Sequence, residues 1–65
     1  MAIELPDDLI ALERSAWEAI QAGRLTLDEA RAVHAAVAAF ATSAGLRRMD
    51  VELALKDQVR YAAAA

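Results

Sequence analysis

From Ala32 to Leu46 the chain carries no formally charged residue, and the run is bounded by Arg31 on one side and Arg47 on the other. Its polar side chains are His34, Thr42 and Ser43, and alanine, the strongest helix former, dominates the rest. A helix that is apolar all round is normally a buried one. This run is too short and too rich in alanine to span a bilayer, which takes about 20 predominantly apolar residues. Nor is there much chain to bury it: of 65 residues in all, a fold this small recovers only about 60% of its unfolded surface.

The boundaries of that helix are written in local chemistry. Thr26 is suited to cap its amino terminus, and Glu29, three residues on, can reach back to the Thr26 amide to complete a capping box. Leu25 stands before the cap as the first half of a hydrophobic staple, with Ala30 as a small partner. Gly45 supplies the left-handed residue that ends a helix, and Leu46 the apolar residue that folds back on it. The second helix is therefore predicted over about 27–44. One face carries Val33, Val37, Phe40, Ala41 and Ala44, the predicted core stripe. The opposite face carries Ala32, Ala35, Ala36, Ala39 and Ser43, where a surface helix would place lysines and glutamates. Exposed alanines chosen for propensity alone need no partner. The absence of any charge along the row favours the other reading, close approach of another helix.

A first helix is predicted over about 6–22. Pro6 is tolerated in its first turn, Asp7 and Asp8 favour the positive end of its dipole, and Gly23 ends it. Leu9, Leu12, Ala16 and Ile20 form its core stripe. Ile10 and Trp17, one heptad apart on the flank, are assigned to an interface, Trp17 either sealing the bundle against the third helix or anchoring a partner. The third helix is predicted over about 50–63, with Asp50 at or near its cap and Val51, Leu55, Val59 and Ala62 on one face. Glu52 with Lys56, and Asp57 with Arg60, are expected as local ion pairs. Met49 and Leu53 fall on the other side, to cover the flank at Ile10 and Trp17 or to meet a partner.

The expected fold is all-α and a single domain: an antiparallel helical hairpin plus a third helix. A core this small needs a staple. With no cysteine and one histidine, disulfides and a structural metal are poor candidates, so oligomerisation is expected to complete it. The acidic stretch from Met1 to Asp8 does not read as a basic segment followed by an apolar one, and the expected location is the cytoplasm. Six arginines against one lysine, with abundant alanine, point to a GC-rich bacterial genome.

The chemistry of catalysis is not legible. His34 is the one candidate proton shuttle or metal ligand and has no second histidine or cysteine to work with. Ser15, Thr26, Thr42, Ser43 and Tyr61 lie in no glycine-rich elbow. The pairs Asp7 with Asp8 and Asp28 with Glu29 are explained by the helix dipole. The segment from Glu18 places Gly23, Leu25 and Glu29 as in the exit half of an EF-hand loop, but the ligand positions at Ile20 and Ala22 carry no oxygen. No enzyme activity, cofactor, metal or small-molecule substrate is expected.

Charge is divided unevenly. Residues 1–30 hold seven acids against Arg14 and Arg24, while residues 31–65 hold five bases against three acids. A helix-turn-helix regulator, with the Gly45 to Met49 turn leading into a recognition helix bearing Lys56 and Arg60, is the alternative function. The carboxylates Asp50 and Glu52 at the start of that helix oppose phosphate and base contacts. An antitoxin-like inhibitor capping a basic partner is a further alternative. The function expected first is a non-catalytic interaction or assembly module, whose partner is a second copy or another helical protein.

Overall fold

The computed structural model describes residues 3–61. They form three α-helices and no strand: α1 (Asp7–Gln21), α2 (Leu27–Ala44) and α3 (Arg48–Lys56), the last running on into one π-helical turn at Asp57–Tyr61. The all-α fold expected from the sequence is the one observed. No helix among the described residues is long and apolar enough to cross a membrane.

Each helix end shows how local sequence dictates it. Pro6 is the extended residue before α1 rather than part of its first turn, and its carbonyl accepts from the amides of Leu9 and Ile10, both at 3.1 Å. At the Thr26 end of α2 the capping box is complete. The Glu29 amide donates to Thr26 Oγ1 at 3.1 Å, and the Thr26 amide donates to Glu29 Oε1 at 3.1 Å.

α1 and α2 terminate in the same way. Gly23 and Gly45 take φ of 72° and 70°. The Arg24 amide donates back to the Ala19 carbonyl at 2.8 Å, and the Leu46 amide to Ala41 at 2.9 Å. These are Schellman motifs, in which only glycine adopts the left-handed position without a steric cost.

The third helix begins two residues before the expected Asp50. Arg47 is the extended residue at its start, with its carbonyl accepting from Asp50 and Val51 at 3.1 and 3.2 Å. Asp50 is thus the third helical residue, where its carboxylate still sits in the favourable field of the first turn and pairs with Arg47 Nε at 3.2 Å. Of the segment predicted to 63, Ala62 and Ala63 lie outside the described residues.

Leu9, Val37, Ala41, Val51 and Leu55 make the buried core, with Leu5, Ile10, Val33, Ala36, Phe40 and Leu46 half-buried against it. Val59, Ala16 and Ala19 are buried as well. The expected core residue Leu12 is only half-buried. Ile20 corrects the sequence reading: it lies in the α1 stripe yet is 39% exposed. It borders a cleft whose lining also includes Ala16 and Ala30, side chains too small to fill that space.

Candidate functional site: the outer helix faces and an ion-paired cleft

The outer face of α2 stands free of the fold. Ala32, Ala35, Ala39 and Ser43 are exposed, while Ala36, expected in the same row, is half-buried against the core. Ala36 lies at the edge where the two faces of the helix meet, and its methyl is drawn inward with Val33 and Phe40. Several large apolar side chains also remain in water. Leu27 is 66% exposed, Met49 70%, Leu53 54% and Tyr61 60%. Met49 and Leu53 therefore do not cover α1.

The flank of α1 is covered instead by the π-helical turn. Glu13, with only 6% of its surface exposed, is the one buried charged residue among those described. Its Oε2 accepts from Arg60 Nε at 3.0 Å, and the Arg60 guanidinium lies over the Trp17 ring with Cζ 4.5 Å from the centroid. A buried carboxylate left alone is strongly destabilising, so this partnership is what permits Glu13 to sit there. The stack on Trp17 adds about 0.5–2 kcal/mol of cation–π attraction.

Ile10 and Trp17 are both half-buried, Ile10 against the core cluster and Trp17 under Arg60 on the continuation of the third helix, which is the sealing position among the two expected for Trp17. The local ion pairs expected at Glu52 with Lys56 and Asp57 with Arg60 are replaced. Glu52 pairs with Arg48 at 3.2 Å one turn earlier, and Arg60 reaches across to α1. Desolvation explains the second exchange, since Glu13 has more to gain from a cation than the exposed Asp57 does.

Between the three helices a cleft of about 250 Å³ is floored by Ala16, Val37 and Leu55 and opens past Ile20 and Leu25. Glu13, Arg60, Lys56 and Glu52 stand along it, with the exposed His34 at its rim. Among the described residues no three histidine, cysteine or carboxylate side chains come together as metal ligands would. Glu13 does not figure among the residues the sequence picks out for a site, and Arg60 figures there only as a base of the recognition helix and a local partner for Asp57. The signal available was an acid at position 13, between Leu9 and Ala16 on the apolar stripe. Comparison with protein-family models, with curated proteins and with solved structures finds no match to this chain.

Proposed function

We propose that this protein is a non-catalytic association module of the bacterial cytoplasm, which pairs through the outer face of α2 with a second copy of itself before any other helical partner. The observation that carries the reading is the exposure of Ala32, Ala35, Ala39 and Ser43 on a helix with no charge between Arg31 and Arg47. Small side chains let a second helix approach to the short end of the 8–10 Å range of interaxial distances. The exposed Leu27, Met49, Leu53 and Tyr61 supply further apolar surface that a chain of this length gains by covering.

The nucleic-acid reading draws less support. Among the bases of the turn and recognition helix, Arg47, Arg48, Lys56 and Arg60, the three arginines each lie beside a carboxylate, at 3.2, 3.2 and 3.0 Å. Arg60 is committed to the buried Glu13, and the carboxylates beside Arg47 and Arg48 add negative charge where phosphates would approach.

The test is mass in solution by light scattering at micromolar protein. The parent chain is expected to be at least a dimer. Ala35→Glu and Ala39→Glu, both at exposed positions, are expected to give folded monomers. Parent-like mass in both variants would remove the α2 face from consideration, and a monomeric parent would end the self-association reading.

A further inference from the structure

We propose that the cleft between the three helices binds a monoanionic carboxylate carried on a short aliphatic body, with the guanidinium of Arg60 as its receptor. The proposal goes beyond association and holds for monomer and oligomer alike.

Arg60 is fixed from two directions. Its Nε donates to Glu13 Oε2 at 3.0 Å, and one face of its plane rests on Trp17, with Cζ 4.5 Å from the ring centroid. Among the described residues the guanidinium makes no other hydrogen bond, and no buried side-chain nitrogen lacks a partner. Its two terminal nitrogens are therefore unpaired donors that are not fully buried, on a group that lines the cleft and whose position is already set. A planar fork of this kind matches a carboxylate in a bidentate contact, and little further side-chain freedom is lost on binding.

Charge around the cleft selects the class of anion. Glu13 is engaged by Arg60 and Glu52 by Arg48, whereas Lys56 pairs with no carboxylate among the described residues. The four charged side chains along the cleft, Glu13, Glu52, Lys56 and Arg60, sum to zero, and Lys56 is the cation among them with no carboxylate within ion-pair distance among the described residues. A single negative charge can be met by Lys56 and Arg60 together, whereas the second charge of a dianion such as phosphate would face Glu13 and Glu52 with no further cation on the cleft. The floor of Ala16, Val37 and Leu55, with Ile20 and Leu25 at the mouth, asks for an apolar body. At about 250 Å³ the space lies just below the usual range of ligand pockets, so the body is short.

Hexanoate is the probe, titrated into isotope-labelled protein and followed by NMR, with hexan-1-ol and hexylamine as neutral and cationic counterparts. Saturable shifts are expected at the Arg60 Nε–H and at the amides of Ala16, Val37 and Leu55. Hexan-1-ol should bind on the order of tenfold more weakly, the share of a charged hydrogen bond, and hexylamine should leave these signals in place. Lys56→Met removes the free cation without touching the Glu13 pair, and should weaken hexanoate several-fold in a folded protein. Equal response to hexanoate and hexan-1-ol, shifts that do not saturate, or a Lys56→Met variant that binds like the parent would each overturn the proposal.

Titrating Ala39→Glu alongside separates this site from the association surface, because hexanoate binding by both proteins is expected whatever their masses. A short peptide ending in leucine, as free acid and as amide, identifies the source of the carboxylate. Tighter binding of the free-acid peptide than of hexanoate assigns it to a chain end, weaker binding assigns it to a free acid, and preference for the amide counts against the site.

Discussion

The flank of α1 and the outer face of α2 depart from the usual surface pattern in opposite senses. On α1 a carboxylate sits where an apolar side chain is expected, 6% exposed, and is matched by a guanidinium from 47 residues further along the chain. On α2 uncharged small residues sit where lysines and glutamates are expected, and nothing within the described residues covers them. The first departure is closed within the monomer because an unpaired buried charge is intolerable. The second can stay open because an exposed alanine costs little. A polar group in the wrong place thus forces a tertiary contact, whereas an apolar group in the wrong place merely leaves one available.

The most severe way to break this contrast is to remove Arg60. Arg60→Ala strands Glu13 and is expected to cost about 3 kcal/mol, the low end for a buried pair because Arg60 retains contact with water. A chain this small has little more stability than that in total, so urea denaturation should find the variant largely unfolded. The double change Glu13→Leu with Arg60→Leu should recover most of the loss. Equal instability of the double variant would show that the pair is not what holds the π-helical turn to α1.

Effects of about 1 kcal/mol are expected at the helix ends. Thr26→Ala removes the acceptor for the Glu29 amide and should lower stability by about 1 kcal/mol. Gly45→Ala should cost about 1–2 kcal/mol through the left-handed backbone alone, because no atom lies within 4 Å of the added methyl. On the outer face of α2, Ala39→Glu should change the stability of the monomer by less than about 0.5 kcal/mol while changing its mass in solution. A large loss of monomer stability there would mean that the face is part of the core. The smallest effect belongs to Trp17. Its stack with Arg60 lies within one chain, so its fluorescence maximum should not move on dilution through the association range, and a concentration-dependent shift would place it at the contact between copies.

The ends of α1 and α2 were legible because each is decided within about six residues: Gly23, Gly45, and Thr26 with Glu29 fix their own hydrogen bonds. The start of α3 lies two residues before Asp50, which suits the third helical position as well as the cap. The ion pair was not legible, since Glu13 and Arg60 are distant in sequence and Asp57 offered Arg60 a nearer partner. The exposure of Ile20 escaped periodicity for a related reason. A stripe gives the direction a side chain faces, and the size of the residues opposite decides whether anything meets it. Ala16 and Ala30 leave the space that larger residues would have filled, so the cleft itself is a product of volumes that no spacing rule reads.

The π-helical turn at Asp57–Tyr61 also sets a rule about length. Such a turn accommodates one residue more than an α-helical ladder would hold over the same rise. Removing Gln58 would let the segment relax to α-helical winding while the end of the turn keeps nearly its former direction, because the turn holds that one residue in excess. A deletion in the α-helical stretch before it, at Leu53 for example, meets no such slack and would rotate everything after it by about 100°, taking Arg60 away from Glu13 and Val59 from the core. The turn is thus slack in the chain's length: loss of Gln58 should be tolerated, whereas loss of Leu53 should behave like the loss of Arg60 itself.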